Sequence, residues 1–140
     1  MGTPEVLAGE APLVRRLGIE AGHRILILNP PEGYYRRLGA LPPGALVNVG
    51  AQAGFDVVQV FVRTRAELAE QLATALAALR PGGRLWFAYP VAGPGGMAGF
   101  APGRNWEALV GAGFAPVADT TIDDSWSAMR FEPVQPVPSG

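Results

Sequence analysis

Residues 55–89 constrain this chain more than any other stretch: FDVVQVFV, a Leu/Ala-rich run, then LRPGGRLWFAY. The outer two segments are near-continuous apolar runs, the pattern of strands covered on both faces. Between them Leu68, Leu72, Ala75, Leu76 and Leu79 recur at helical spacing and form an apolar stripe that can pack on a sheet. Thr64 stands ahead of the stripe as an N-cap, with Glu67 at the capping-box position. Pro81 stops the helix because it lacks an N–H and crowds the preceding turn, and Gly82 or Gly83 can take the positive φ that reverses the chain. Strand, helix, tight turn and strand make one βαβ unit, which implies a parallel sheet with a right-handed crossover.

The flanking segments extend the same alternation. Pro12 to Leu17 reads as a short helix capped by Gly18, and Gly22-His23 turns the chain into the apolar strand RILILN. The loop Asn29-Pro30-Pro31-Glu32-Gly33 leads to one or two helical turns over 34–38, then to a second strand, ALVNV. After residue 90 a Gly/Pro-rich stretch runs to Gly103, and Asn105 is placed to cap a helix from Trp106 to Gly111. APVADTTI, a turn at Asp123-Asp124 and SWSAMRFE then form a hairpin whose last strand runs antiparallel to the rest. The expected fold class is α/β: a three-layer, Rossmann-like, mostly parallel sheet with a C-terminal antiparallel strand. One domain spans 1–140, with 1–11 and 133–140 as loose termini.

Composition narrows the function classes. A chain that is 49% hydrophobic and 16% charged folds compactly. It has no apolar run near the roughly 18 residues of a membrane span and no charged-then-apolar leader, so no membrane partner and a cytoplasmic location are expected. A net charge of −1 argues against nucleic acid as a partner, since phosphate binding needs a concentrated basic face. The chain has no Cys, one His, and 11 basic residues that are all Arg. Thiol nucleophiles, Schiff-base lysines, phosphate-loop lysines and Cys/His zinc sites are thereby excluded or disfavoured, and no metal site is expected.

The turn Leu79-Arg80-Pro81-Gly82-Gly83-Arg84-Leu85 resembles the Leu-x-Pro-Gly-Gly-x-Leu turn of class I S-adenosylmethionine-dependent methyltransferases. The resemblance runs from about Leu17 to Phe131. LGIEAGHRILILN looks like the opening of that family, and AGFAPV like the Gly-Phe ahead of its last strand pair. Two departures stand out. The family's Gly-x-Gly-x-Gly cofactor loop is replaced by Asn29-Pro30-Pro31-Glu32-Gly33, whose prolines remove two N–H donors. The second strand ends Val47-Asn48-Val49-Gly50, without the acidic residue that binds ribose, and the next strand follows so soon that a strand–helix portion is missing. LNPPEGY, FDVV, PGGRLW and IDDSWSAMRF are also similar to a small uncharacterised bacterial family with a methyltransferase-like core and an Asp-x-x-Trp-Ser strand. In place of the basic residues of that family after the fourth strand, this chain has Val91 to Gly96.

The candidate ligand residues are Asn29, Glu32, Gly33 and Arg63, all expected at the carboxyl edge of the sheet, where doubly wound folds bind ligands. Glu32 suits a ribose hydroxyl or an amine, and equally a solvated acid at a helix start. Arg63 suits an anion or a surface carboxylate. The 93–99 loop reads as a lid or a plain connection, His23 as a turn residue, and Asp123-Asp124 as a turn in which the side chains bond their own backbone. Trp126 with Arg130 suggests an interaction face, whereas Trp86 and Phe87 read as core. No catalytic residue is assigned. These readings favour a non-catalytic binding or interaction module with no cofactor, paired as a homodimer or with a protein partner over an exposed edge strand. The alternative is a methyltransferase with an atypical loop, in which Asn29, Glu32 and Gly33 contact S-adenosylmethionine and Arg63 or Asp124 orients substrate.

Overall fold

The computed structural model describes residues 12–48, 53–90, 106–123 and 125–134. The 93–99 loop, Asn105, Asp124 and most of the two termini lie outside the described residues. In chain order the elements are α1 (Leu13–Arg16), β1 (Arg24–Leu28), α2 (Tyr34–Leu38), β2 (Leu46–Val47), β3 (Phe55–Phe61), α3 (Arg65–Ala78), β4 (Leu79–Pro90), α4 (Glu107–Gly111), β5 (Phe114–Thr121) and β6 (Trp126–Pro133). The strands form one sheet ordered β2-β1-β3-β4-β6-β5. β2, β1, β3 and β4 run parallel, and β6 lies antiparallel to both β4 and β5. The mostly parallel α/β fold with a reversed last strand is the one expected from the sequence.

Side chains alternate across the pleat, so each strand feeds two cores. Val57 and Phe61 of β3 join Leu17, Tyr34, Leu38 and Trp126 on the α1/α2 face. Val58, Val60 and Val62 join Leu68, Ala75, Trp106 and Phe131 on the α3/α4 face. These two apolar layers enclose the sheet and give the three-layer arrangement.

Local chemistry sets the boundaries. The Thr64 hydroxyl accepts the Glu67 N–H at 3.0 Å, and the Glu67 carboxylate accepts the Arg63 N–H at 2.7 Å. The reciprocal cap therefore reaches one residue upstream of the usual N-cap nitrogen. The Pro-Gly-Gly turn is built into β4 itself: Phe55 pairs with Leu79 but Val57 with Arg84, so Arg80 to Gly83 loop out of the ladder. Gly82 there has φ +81, and a Cβ on Gly83 would stand 2.9 Å from the Asp56 carbonyl oxygen. Beneath the turn, Asp56 accepts the Arg24 N–H at 2.9 Å and pairs with Arg80 at 3.0 Å. Burial pushes the Asp56 carboxyl up, but these two partners outweigh it and hold the group below its ordinary range.

β2 is shorter than ALVNV. It pairs only at Arg24 and Ile25, the amino end of β1, and Asn48 leaves the strand with φ +56. The chain has only residues 48–54 in which to pass from β2 back to the start of β3, which leaves no length for a longer strand. At the other end, Pro133 pairs with Phe114 and the Val134 N–H donates to the Gly113 carbonyl at 2.7 Å.

Two outcomes are expected. Gly83→Ala lowers stability by about 1–3 kcal/mol, because a backbone carbonyl blocks the new methyl; a urea midpoint equal to that of the parent would show that the turn opens freely. Asp56 has a depressed pKa, so its stabilisation is present above the unfolded carboxylate pKa and lost as pH falls through the folded one. Asp56→Asn therefore costs about 1 kcal/mol at neutral pH, and the gap to the parent closes on acidification below about pH 4. A gap independent of pH in paired acid titrations would refute the charge origin.

Candidate ligand site at the carboxyl edge

β1 leads to β2 on one side while β3 lies on the other, so the strand order reverses between β1 and β3. In open α/β sheets that reversal leaves a crevice beyond the carboxyl ends of the strands. Asn29 emerges there from β1, exposed and at φ +58, a left-handed conformation that Asn tolerates. The Tyr34 N–H donates to the Pro31 carbonyl at 3.1 Å, and Gly33 caps α2 at φ +82. Glu32, between them, is held outward on this turn.

A cavity of about 540 Å³ opens at this edge, within the range of small-molecule sites (about 300–1,000 Å³). Pro31, Glu32 and Gly33 form one rim, and Arg36 and Arg37 of α2 continue it. The far wall comes from the turn between β5 and β6, with Asp123, Ser125 and Trp126. Of the four residues expected from the sequence, Glu32 and Gly33 line this space and Asn29 does not. Arg63 reaches it indirectly: its guanidinium carbon lies 5.2 Å from the centre of the Trp126 ring.

The cavity rests on an aromatic floor. Tyr34 meets Phe61 edge-on at 4.7 Å between ring centres, and Phe61 meets Trp126 at 5.1 Å. The Tyr34 hydroxyl donates to the Gln59 side-chain oxygen at 2.5 Å within the core. Burial raises the Tyr34 phenol well above its ordinary range, so it stays protonated as that donor. The Gln59 amide nitrogen is buried without a hydrogen-bond partner. Tyr34 thus borders the cavity but directs its polar atom into the core, fastening α2 to β3.

Asp123 organises the far wall. Its Oδ1 accepts the Ser125 N–H at 2.8 Å and the Trp126 N–H at 3.0 Å, as a turn aspartate does. Its Oδ2 lies 3.2 Å from Arg37 Nε. One carboxylate therefore folds the hairpin turn and fixes an arginine of α2. Glu32 and Arg36 make neither a hydrogen bond nor an ion pair among the described residues. A sequence reading passes over Arg36 and Arg37, because adjacent arginines on a short helix look like a solvated face. The available signal is that they follow Gly33 directly onto the ligand edge.

The end of β2, where the sequence lacks an acid, is used structurally. Asn48 Oδ1 accepts the Ile27 N–H at 2.8 Å, while its Nδ2 donates to the Ile27 carbonyl and the Tyr35 hydroxyl, both at 3.3 Å. The side chain stands in for a further strand residue beside β1. On the opposite face, Tyr89 at the end of β4 packs on Trp106 at 5.6 Å. Burial, then the charge of Asp119, pushes its phenol up to about 12. His23 lies at the amino edge, its Nδ1 accepting the Glu20 N–H at 3.1 Å, a turn role as expected.

No protein-family model and no curated protein sequence matches the chain. Solved structures do match. The complex of DhpI with SAH superposes with a TM-score of 0.59 at 13% identity, over 88% of this chain and 83% of that one. Fibrillarin from Aeropyrum pernix with natively bound S-adenosyl-L-methionine gives 0.57 at 14%, over 92% and 76%. An S-adenosylmethionine-dependent methyltransferase from Thiobacillus denitrificans, in complex with S-adenosyl-L-homocysteine, gives 0.56 at 13%, over 94% and 92%. The fold is therefore the Rossmann-like fold of S-adenosylmethionine-dependent methyltransferases. The expectation of no cofactor is corrected by the same finding, because these similar structures hold the methyl donor or its demethylated product. Its basis, a loop short of backbone donors, leaves the side chains that line the cavity out of account. Among the described residues, no helix is long and apolar enough to cross a membrane.

Asp123→Ala is expected to destabilise the protein by about 1–3 kcal/mol, since two turn N–H groups and Arg37 lose their acceptor. Asp123→Asn keeps the turn oxygen and should recover most of that loss. Equal thermal midpoints for the two variants would contradict the role assigned to Oδ1.

Proposed function

We propose that the domain is a methyltransferase-fold binding module whose carboxyl-edge cavity takes S-adenosylmethionine or its demethylated product. The observation that carries this reading is the cavity itself, lined by Glu32 and Gly33 beside the β1/β3 reversal. Solved structures of the same fold that hold those ligands support it.

The side chains fit such a ligand. Glu32 has a carboxylate without a partner among the described residues, able to accept from ribose hydroxyls or an ammonium group. Tyr34 and Trp126 supply aromatic wall for a purine. Asn29 stands beyond β1 with its side chain exposed at the mouth of the crevice. Pro30 and Pro31 contribute no N–H, so recognition falls to side chains and to the rigid turn that presents them. When bound, S-adenosylmethionine supplies an electrophilic methyl group on a sulfonium. The residues named here hold and orient the ligand and exclude water from it.

Isothermal titration with S-adenosylmethionine and S-adenosylhomocysteine should give dissociation constants on the order of micromolar. Glu32→Gln should weaken both by about tenfold, a loss equal to one charge-assisted hydrogen bond. Absence of heat at millimolar ligand, with no thermal shift, would refute the reading.

A further inference from the structure

Two guanidinium groups at this edge, Arg36 on the cavity wall and Arg63 on the Trp126 ring, have no carboxylate partner among the described residues. Arg37 is matched by Asp123, whose other oxygen is taken up by the turn. Arg36 lines the cavity with no ion pair among the described residues, although Glu32 is only four positions away. The Arg63 guanidinium rests on Trp126 and likewise has no carboxylate partner among the described residues. A cation stacked on an indole keeps its edge N–H groups available to an anion. Trp126 therefore links the two: it carries the Arg63 guanidinium on its ring and lines the cavity that Arg36 also lines.

S-adenosylmethionine cannot satisfy this pair. It brings one carboxylate to two guanidiniums, and its sulfonium and ammonium add positive charge, so at least one guanidinium stays unmatched. An anionic second ligand restores the balance, and the aromatic floor favours a planar one.

We propose that the cavity also takes an acidic aromatic molecule, a ring carrying a carboxylate or a phosphate monoester, held by Arg36 and Arg63 with its ring toward Trp126. This rests on the reading of the cavity as a ligand site, but not on adenosyl binding. The acid group is the recognised chemistry, and the two forms of it differ only in charge and in the number of acceptor oxygens.

The test is titration of the purified protein with benzoate, phenyl phosphate and benzyl alcohol, each with and without saturating S-adenosylhomocysteine. At least one acid should bind about tenfold more tightly than the alcohol, and which acid does so identifies the anion. Arg36→Gln and Arg63→Gln should each lose about tenfold in acid affinity, leave the alcohol unchanged, and melt with the parent, since both side chains are exposed. Added salt should weaken the acid alone. Equal affinity for acid and alcohol, binding of neither acid under either condition, or variants that bind as the parent does would overturn the proposal. Arginine-dependent acid binding without any heat from S-adenosylhomocysteine would sustain it while refuting the adenosyl reading; the reverse pattern would do the opposite.

Discussion

From Val57 to Phe61 the side chains of β3 are closed off from water on both faces of the sheet, each at most 1% exposed. Each large apolar side chain buried this way contributes on the order of 1.5–3 kcal/mol, so the centre of the sheet is committed to stability. The one polar residue among them, Gln59, takes its hydrogen bond from Tyr34 and offers nothing to solvent. Chemistry can then gather only where strands end. At the amino edge the Asp56 carboxylate is matched, by the Arg24 N–H and the Arg80 guanidinium. At the carboxyl edge Glu32, Arg36 and Arg63 remain unmatched among the described residues. A matched carboxylate of this kind holds the fold, and unmatched groups gathered round a cavity have capacity for a ligand.

The βαβ unit was legible because its signals are local. Apolar runs, helical spacing, the Thr64 cap and the Pro-Gly-Gly turn all act within a few positions of one another. They recur in the structure, except that the helix ends at Ala78 and β4 takes in Leu79 and the turn itself. β2 was not, since a two-residue strand has no period and its length is set by the return path to β3. The site divides along the same line. Glu32 and Gly33 could be placed because a loop leaving the first strand must reach the carboxyl edge. Arg37 could not be joined to Asp123, nor Arg63 to Trp126, because those contacts depend on how the last hairpin lies across the sheet.

The proline loop reads differently once its hydrogen bonds are known. Two fixed φ angles and the missing N–H groups exclude a backbone cradle, but they also lower the entropy lost when the loop is ordered. The Pro31 carbonyl accepts from Tyr34 and the Gly33 carbonyl from Arg37, so the loop runs into α2 without orphaned acceptors at the join. What this loop presents to the cavity is a carboxylate on a stiff turn. On the proposed reading, selectivity comes from side chains, and a methyltransferase-like fold keeps a ligand edge without a glycine-rich loop.

Asp123 and Trp126 show why fold and site cannot be separated at the far wall. Trp126 packs on Phe61 in the core and faces the cavity as well, so any truncation there disturbs both. Asp123 closes the turn and restrains Arg37, so its charge is spent before a ligand arrives. Arg36 and Arg63 carry neither burden, being exposed and free of carboxylates among the described residues. Selection on ligand chemistry can act on those two guanidiniums without disturbing the sheet. The Asp-x-x-Trp spacing is, by contrast, a structural device: it places an acceptor where the backbone of the fourth residue must turn, and puts the indole of that residue on the wall.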